Sequence, residues 1–334
     1  MNFSSPIGKH VLNDISCSIT RSCYDAINHD IQKNPDEPSF IARMVMHLSH
    51  GICDSLSVYA PNYDVVITTM FCHQRPIVEF NGKRCELGDI LFVFDEKDKQ
   101  DIKGNSLLLQ AKKTDKNPVI PDNENQQELY STFPKFNYFK PKLKDSNGNP
   151  IECDINPKEP CSGAQYLLLK EPFNLSDSCV CALATPVGQH VEGKDSLAQN
   201  LVDLLSFKTG RTYEPENGDS QDDWSNMVHD LLERGKIKNA NYFEKQTILY
   251  IDASKSIITT SKNVIYREYG ALMNVKKNGI KNAYRIYEAA SENLFADSNT
   301  DDTSIDIENN QKVEDEEKPF VIFYIYAEKK EEQL

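Results

Sequence analysis

The part of the sequence that decides the fold reads Gly88-Asp-Ile-Leu-Phe-Val-Phe94 and, after the polar loop Asp95–Gly104, Ser106-Leu-Leu-Leu-Gln-Ala-Lys112. Each apolar run is short and bounded by polar residues, which predicts two buried β-strands. Side chains alternate along a strand, so Gln110 and Lys112 lie on one face of the second strand. If the two strands pair, Asp89 lies beside them.

Outward from this pair, the sequence predicts a mixed α/β fold. A helix from Ser39 to Leu56 precedes the pair, because its apolar residues recur with the helical period. Asn81-Gly82 is a strong tight-turn signal and predicts a β-hairpin that joins the strand Ile77–Phe80 to the strand Gly88–Phe94. The other predicted elements are strands at 64–71, 166–169, 180–183, 247–251 and 320–326, helices at 124–133, 195–207 and 222–234, and a helix or strand at 264–272.

The composition excludes two broad classes of protein. The chain has 334 residues, with 37 Lys and Arg against 51 Asp and Glu, and its formal net charge is −14. This charge excludes a generic polycation that coats nucleic acid. The sequence contains no run of about 18 apolar residues, so it predicts no transmembrane helix. The N-terminal residues lack the apolar core of a signal peptide. The nine scattered cysteines suit a reducing compartment, so we expect a cytoplasmic protein with no membrane partner.

The side chains of Asp89, Gln110 and Lys112 are those that phosphodiester hydrolysis requires. Water attacks in line at a negatively charged phosphate, and a carboxylate such as Asp89 can hold Mg²⁺, which keeps several waters and bridges to phosphate. Gln110 can add a carbonyl oxygen to the metal or orient a ligated water. Lys112 can polarise the attacking water or stabilise the developing charge. A second carboxylate can come from Glu79 or Glu86.

An apolar helix, a hairpin with an acidic residue and a strand that ends in Gln-x-Lys together resemble the PD-(D/E)xK nuclease superfamily. The Gln-x-Lys form is found among Mrr-like restriction enzymes and nucleases of bacterial anti-phage systems. The resemblance covers residues 39–140. It implies a restriction-endonuclease-like α/β fold, with a mixed sheet flanked by helices. The elements predicted after residue 145 add an α+β C-terminal half. It also implies a Mg²⁺- or Mn²⁺-dependent endonuclease that cleaves DNA in antiviral defence.

On this resemblance, Asp89 matches the metal-binding aspartate, and Gln110 and Lys112 match the last two motif positions. The expected catalytic residues are Asp89, Gln110, Lys112 and Glu79. Of these, Asp89, Gln110 and Glu79 are expected at the metal, with Glu86 as the alternative acid.

A second segment, Phe133–Lys144, interleaves four lysines with four aromatic residues. Lysines can neutralise phosphates, and aromatic rings can stack on bases. Together with the lysine that follows the motif, the expected nucleic-acid-binding residues are Lys113, Lys135, Lys140 and Lys142. The alternative is that Phe133, Phe136 and Phe139 belong to the core and the lysines are merely exposed.

The expected domains are a nuclease-like core over 1–145, with N-terminal helices and an αβββαβ motif, and an α+β extension over 146–334. Residues 297–317 hold nine acidic residues and one lysine, a composition that predicts a mobile loop. The chain has no phosphate-binding loop motif of its own. Because an unrestrained nuclease would harm its host, we expect a separate ATPase, helicase or sensor subunit, bound through the extension or the acidic loop.

Two other functions stay open at this point. The chain can be a non-catalytic adaptor that keeps a nuclease-like fold for binding, or an RNase on the same scaffold. Geometry separates the adaptor from the nuclease, because Asp89, Gln110 and Lys112 must converge within one metal-phosphate span. Only substrate assays separate the RNase from the DNase.

Overall fold

The computed structural model describes residues 1, 3, 5–29, 37–72, 75–140, 150–171, 178–216, 220, 222–242, 249–252, 257–260, 264–266, 271–273 and 320–331. The helices of these residues are α1 (Ser5–His29), α2 (Glu37–Tyr59), α3 (Glu124–Thr132), α4 (Leu197–Leu205) and α5 (Asp223–Tyr242). Within the described part of the chain, no helix is long and apolar enough to cross a membrane. The four helices predicted with definite bounds correspond to α2, α3, α4 and α5.

The strands of the described residues are β1 (Tyr63–Cys72), β2 (Ile77–Phe80), β3 (Lys83–Glu86), β4 (Ile90–Asp98), β5 (Asp101–Thr114), β6 (Phe136–Lys140), β7 (Glu152–Cys153), β8 (Ala164–Lys170), β9 (Cys179–Leu183), β10 (Asp195–Ser196), β11 (Arg211–Tyr213), β12 (Leu249–Asp252), β13 (Ile257–Thr260), β14 (Val264–Tyr266), β15 (Ala271–Met273) and β16 (Phe320–Lys329). The segment predicted as a helix or strand at 264–272 contains β14 and the first two residues of β15, and these two strands pair antiparallel.

The larger sheet has ten strands and carries the candidate motif. Nine of the strands run in the order β10-β9-β8-β5-β4-β16-β1-β12-β13, and β11 pairs with β5. β4 and β5 are antiparallel, with Ile90 opposite Leu109. By contrast, β16 is parallel to β4, and β8 is parallel to β5. The sheet is therefore mixed, as predicted.

Two apolar layers cover opposite faces of this sheet. Leu109 and Ala111 of β5 pack in a layer with α1, α2 and α4, while Leu108 packs in a layer with α3 and α5. The alternation is that of a strand with both faces buried. In the centre of the sheet, Phe92 of β4 stacks on Phe323 of β16 with ring centroids 4.8 Å apart. Helices on both faces of a mixed sheet confirm the α/β prediction.

The Asn81-Gly82 turn forms a hairpin, but the second strand differs from the predicted one. Asn81 and Gly82 have φ of 49° and 73°, the positive values that a two-residue type I′ turn requires. The turn joins β2 to β3 in a smaller sheet of order β3-β2-β6-β7. The predicted partner, Gly88–Phe94, contributes β4 to the larger sheet instead. β3 was not predicted because Lys83 and Arg84 give it no apolar pattern.

The larger sheet combines strands from both sides of the boundary expected near residue 145. β16 lies between β1 and β4, and its pairing with β1 extends from Phe320 opposite Cys72 to Lys329 opposite Tyr63. The C-terminal apolar run is therefore central to the sheet that carries the motif. The acidic segment 297–317 lies outside the described residues.

Candidate active site

Asp89 lies immediately before β4. Its N–H donates to the carbonyl of Leu109 at 2.8 Å, and its carbonyl accepts from the N–H of Val321 at 3.0 Å. The backbone of Asp89 is thus fixed between β5 and β16. The side chain is fully buried, and alternation from Leu91 places it on the sheet face that packs against α3.

Gly88 precedes Asp89 because the neighbouring side chains leave little room. A Cβ atom at this position would lie 2.7 Å from Cδ1 of Leu108 and 3.1 Å from Oη of Tyr130. The same Tyr130 hydroxyl donates to the carbonyl of Leu87 at 2.8 Å. The close packing of α3 on the start of β4 therefore depends on a glycine here.

Two donors from β5 hold the carboxylate of Asp89. Nε2 of Gln110 donates to Oδ2 of Asp89 at 2.5 Å, and the N–H of Ala111 donates to the same oxygen at 2.6 Å. The structure therefore brings Asp89 and Gln110 into contact, the arrangement that strand pairing predicts. Because Gln110 presents its NH₂ group to Asp89, its carbonyl oxygen has a different partner.

That partner comes from α3. Nε2 of Gln126 donates to Oε1 of Gln110 at 3.0 Å. Asn123 caps the helix by accepting a hydrogen bond from the N–H of Gln126 at 3.1 Å. The two glutamines form a chain of buried amides that ends on Asp89, and Oε1 of Gln126 has no hydrogen-bond partner. Gln110 can therefore offer its oxygen to a metal only after its amide turns over.

A cation that sequence reasoning missed lies on the other oxygen of Asp89. Nε of Arg75 is 2.9 Å from Oδ1 of Asp89, and Nη1 of Arg75 is 2.5 Å from Oε2 of Glu86. The contact with Asp89 is an ion pair without the alignment of a hydrogen bond, so Oδ1 accepts none. Ile77 pairs with Glu86 across the hairpin, which brings Arg75 next to Glu86. The hairpin is the sequence signal for this contact, but it identifies Arg75 only when the second strand of the hairpin is placed at β3.

Burial dominates the protonation of Asp89. Removal from water raises the pKa of this carboxyl to about 7, because desolvation disfavours the charged form, although the guanidinium of Arg75 lowers it. The carboxylate of Glu86 raises the same pKa, and the N–H of Ala111 lowers it. The carboxyl therefore titrates close to neutral pH, where functional groups are often tuned to lie.

The two lysines that follow the motif lie on opposite faces of β5. Lys112 shares the face of Gln110, and its Nζ is 2.9 Å from Oδ1 of Asp122. This contact lowers the pKa of the Asp122 carboxyl. Lys113 lies on the other face, where its Nζ is 2.7 Å from Oε1 of Glu171. Lys112 is therefore on the side of Asp89, and Lys113 is not.

The described contacts do not join Glu79 to the Asp89 network. Val78 and Phe80 on either side of it are buried, so Glu79 lies on the opposite face of β2. There its Oε2 is 2.5 Å from Nε of Arg84. Of the two acids considered for the metal, the structure brings only Glu86 close to Asp89, through Arg75.

The lysine-rich segment is divided between core and surface. Phe133 and Phe136 are buried, and the guanidinium of Arg84 covers the ring of Phe139, with Cζ 3.4 Å from the ring centroid. Lys135 forms an ion pair with Glu152. The side chain of Lys140 and all of Lys142 lie outside the described residues.

Two surface depressions lie at the other end of β4 and β5. One, of about 580 Å³, is lined by residues that include Lys103, Tyr213, Glu214 and Glu216. The other, of about 660 Å³, is lined by Glu96, Asp98, Lys99, Gln100, Asp101 and Lys103. Acidic side chains outnumber basic ones in both linings, so neither depression attracts a polyanion.

The described residues give a divalent cation a small set of oxygen ligands. No group of three or more His, Cys, Asp or Glu side chains converges in this part of the chain. Asp89 has one oxygen without a hydrogen bond, and Gln110 has an amide oxygen. Carboxylate and amide oxygens are the donors that suit Mg²⁺ and Mn²⁺. The donor chemistry therefore fits such a cation, while the guanidinium of Arg75 stands at the Asp89 oxygen.

Comparisons of the chain with protein-family models, curated proteins and solved structures give no match. The resemblance to the PD-(D/E)xK nucleases therefore depends on the motif residues.

Proposed function

We propose that the chain is a metal-dependent endonuclease that cleaves phosphodiester bonds in DNA. The observation that carries the proposal is the buried carboxylate of Asp89, held by Gln110 and the N–H of Ala111 between two neighbouring strands. Lys112 lies two residues beyond Gln110 and therefore on the same face of β5. Because burying a carboxyl group opposes folding unless it is well paired, a buried carboxyl with one oxygen in an ion pair but in no hydrogen bond supports a functional role.

Each residue has a separate task in this proposal. Asp89 and Gln110 would hold Mg²⁺ or Mn²⁺ through side-chain oxygens. The bound cation supplies charge neutralisation and polarisation of the phosphate. The N–H of Ala111 fixes the orientation of the Asp89 carboxylate. Lys112, on release from Asp122, would bring its ammonium group to a phosphate oxygen on which negative charge develops.

The biological setting of the proposal follows from the resemblance. Nucleases of bacterial anti-phage systems share the Gln-x-Lys form, so the chain would be the effector of a prokaryotic defence complex in the cytoplasm. Because such an effector must be restrained until infection, its proposed partner is a separate ATPase, helicase or sensor subunit.

A second candidate function is a non-catalytic adaptor with a nuclease-like fold. Two contacts favour it: Arg75 neutralises Asp89, and Lys112 is paired with Asp122. In an adaptor these ion pairs are permanent and serve the fold. In a nuclease both must open when substrate and metal bind.

A cleavage assay tests the nuclease against the adaptor. The purified chain is incubated with duplex DNA, supercoiled plasmid and RNA, with Mg²⁺, with Mn²⁺ and with EDTA, alone and with the proteins encoded by neighbouring genes. The variants are Asp89→Ala and Lys112→Ala. Lys97→Ala is the matched control, because Lys97 lies at the other end of β4 and has its own ion pair, with Glu328.

We expect metal-dependent cutting of DNA that Asp89→Ala and Lys112→Ala abolish and Lys97→Ala retains. Cutting of RNA alone would replace the DNase by an RNase on the same residues. Cutting that survives both site substitutions, or no cutting with the neighbouring proteins present, would favour the adaptor.

A further inference from the structure

The guanidinium of Arg75 lies between two carboxylates. Its Nε is 2.9 Å from Oδ1 of Asp89, and its Nη1 is 2.5 Å from Oε2 of Glu86. Nε and Nη1 are bonded to the same carbon of one planar group. The two carboxylates therefore share one counter-cation but come from different elements, one from the start of β4 and the other from the end of β3.

The exposed fraction of these three side chains increases from Asp89 through Arg75 to Glu86. Asp89 is 0% exposed and Arg75 is 4% exposed, whereas Glu86 is 31% exposed. The guanidinium is therefore enclosed on the Asp89 side and accessible on the Glu86 side. A group that replaced it would enter past Glu86.

The guanidinium neutralises the Asp89 carboxylate but forms no well-aligned hydrogen bond with it. Oδ1 of Asp89 is buried and has no hydrogen-bond partner, although Arg75 lies within ion-pair distance. A guanidinium binds through directional N–H groups. A divalent cation, in contrast, binds carboxylate oxygens mono- or bidentately and keeps waters in its other positions. Two carboxylates that share one counter-cation, one of them buried with an oxygen in no hydrogen bond, offer the oxygen ligands that such a cation takes.

We propose that Asp89 and Glu86 form a divalent-cation site that Arg75 occupies with its guanidinium in the metal-free protein. This inference rests on the proposed nuclease function and deepens it, because it names Glu86 as the second carboxylate and Arg75 as the group that must leave. A substrate phosphate offers Arg75 a bidentate partner. Arrival of nucleic acid would therefore draw Arg75 from Asp89 and admit the cation.

Binding of Mn²⁺ alone, without nucleic acid, tests this inference. The free Mn²⁺ is measured by electron paramagnetic resonance at one fixed pH for the full chain and three variants. In Arg75→Gln the guanidinium is absent, and we expect one Mn²⁺ per chain with at least tenfold higher affinity than in the wild type. In Arg75→Gln/Glu86→Gln we expect the affinity to return to the wild-type level. In Arg75→Lys a cation remains, and we expect no gain.

Arg84→Gln is the matched control. Arg84 lies on β3 and forms an ion pair of similar length with Glu79, but both of its partners are partly exposed. Its loss leaves a free carboxylate that has no buried companion, so Mn²⁺ affinity should stay at the wild-type level. Equal gains in Arg84→Gln and Arg75→Gln would overturn the inference, as would an Arg75→Gln chain that gains no affinity or keeps its gain without Glu86.

Loss of Arg75 leaves a buried carboxylate without a counter-charge, which destabilises the fold. If Arg75→Gln is unfolded, circular dichroism replaces the binding measurement: Mn²⁺ should restore the folded spectrum and K⁺ should not. A chain that stays unfolded at saturating Mn²⁺ overturns the inference.

The two proposals fail separately. If Arg75→Gln gains Mn²⁺ affinity but no chain cuts nucleic acid, the cation site stands and the nuclease fails. If the wild type cuts DNA through Asp89 while Arg75→Gln and the wild type bind Mn²⁺ equally, the nuclease stands and the Glu86 site fails.

Discussion

Two buried carboxylates lie on one face at opposite ends of the apolar run of β4, and they are held in different ways. Asp89 precedes the apolar run and Asp95 follows it. Alternation through Leu91 and Val93 places both on the face that packs against α3 and α5. Both side chains are buried. Asp89 is held by a guanidinium, an amide and a backbone N–H, whereas Asp95 is held by two phenol hydroxyls.

The contacts of Asp95 leave neither of its oxygens unbonded. Oη of Tyr213 donates to Oδ1 of Asp95 at 2.5 Å, and Oη of Tyr324 donates to Oδ2 at 2.6 Å. Tyr213 comes from β11 and Tyr324 from β16, so the carboxylate connects three strands of the larger sheet. Burial raises the pKa of Asp95, and the two hydroxyls lower it.

The comparison separates a structural carboxylate from one that can bind a ligand. Asp95 has both oxygens in hydrogen bonds to neutral groups that belong to the sheet and cannot leave without disrupting it. Asp89 has one oxygen without a hydrogen bond and a counter-charge on a side chain that a second anion can attract. The same residue type on the same strand therefore has different expected roles, which substitution can test.

Replacement of each carboxylate by its amide should give the largest contrast. We expect Asp89→Asn to reduce cleavage more than about 100-fold, beyond the effect typical of a residue outside the first metal shell. We expect Asp95→Asn to change cleavage less than about threefold and to lower the free energy of unfolding by about 2 kcal/mol, because charge-assisted hydrogen bonds are lost. Initial cleavage rates and urea denaturation measure the two effects.

The contrast is valid only where both variants are folded, so the rates are compared well below the unfolding midpoint of each. If folded Asp95→Asn loses as much cleavage as Asp89→Asn, the two carboxylates belong to one functional unit. The distinction drawn between the two ends of β4 would then be wrong.

Substitution of the two tyrosines at Asp95 should show that their hydrogen bonds stabilise the fold. We expect Tyr213→Phe and Tyr324→Phe each to lower the free energy of unfolding by about 1.5–3 kcal/mol. The double variant should lose less than the sum, by more than about 0.5 kcal/mol. The reason is that loss of one hydroxyl favours the protonated carboxyl, which is a weaker acceptor for the other hydroxyl.

Tyr63→Phe is the control for this cycle. Its hydroxyl donates to Oε1 of the partly exposed Glu96 at 2.7 Å, so we expect its loss to cost about 1 kcal/mol or less. Urea denaturation of the wild type and the four variants gives the comparison. Strict additivity of the two phenylalanine substitutions would show that the hydroxyls do not share the carboxylate.

The pH dependence of the free energy of unfolding should reveal the raised pKa of Asp89. The pKa of the folded Asp89 carboxyl is about 7, against an ordinary value of 3.8. The folded state therefore binds more protons than the unfolded state between about pH 4 and about pH 7, and this group lowers stability as the pH rises through that range. Each tenfold difference in proton affinity corresponds to about 1.4 kcal/mol.

Asp89→Asn cannot titrate, so the difference in unfolding free energy between wild type and variant should change steadily in favour of the variant from pH 4 to pH 7. Urea denaturation at several pH values measures this difference, and other groups cancel in it. Parallel curves for the two chains would show that the folded environment does not raise the proton affinity of Asp89.

Most of the larger sheet could be predicted from sequence because its central strands are buried on both faces. Such strands are continuous apolar runs, as in Ile90–Phe94 and Phe320–Tyr326, and such runs are identified without knowledge of their partners. The order of the strands could not be predicted. The insertion of β16 between β1 and β4 is a pairing of distant segments that no local pattern specifies.

The candidate site could be predicted only where it depends on neighbouring strands. The contact between Asp89 and Gln110 follows from alternation on two strands that pair through a short connection. The contact of Arg75 with Asp89 depends on a hairpin whose second strand has a polar, exposed sequence. Because that strand was placed at the apolar run instead, neither Arg75 nor its link to Glu86 was identified.

The smallest expected effect concerns the end of the amide chain, at Gln126. Its Nε2 donates to Gln110, but its buried Oε1 has no hydrogen-bond partner. In Gln126→Leu one hydrogen bond is lost, and Oε1 of Gln110 replaces Oε1 of Gln126 as the buried oxygen without a partner, so we expect the free energy of unfolding to fall by about 1 kcal/mol. The hydrogen bond from Nε2 of Gln110 to Asp89 is retained. Urea denaturation measures the change, and Gln127→Leu is the control, because Nε2 of Gln127 donates to Thr185, Pro186 and Gln189 and its loss should cost more. A loss of more than about 2 kcal/mol in Gln126→Leu would mean that its oxygen has a hydrogen-bond partner in solution. The amide chain would then stabilise the fold, as we expect of the two tyrosines at Asp95.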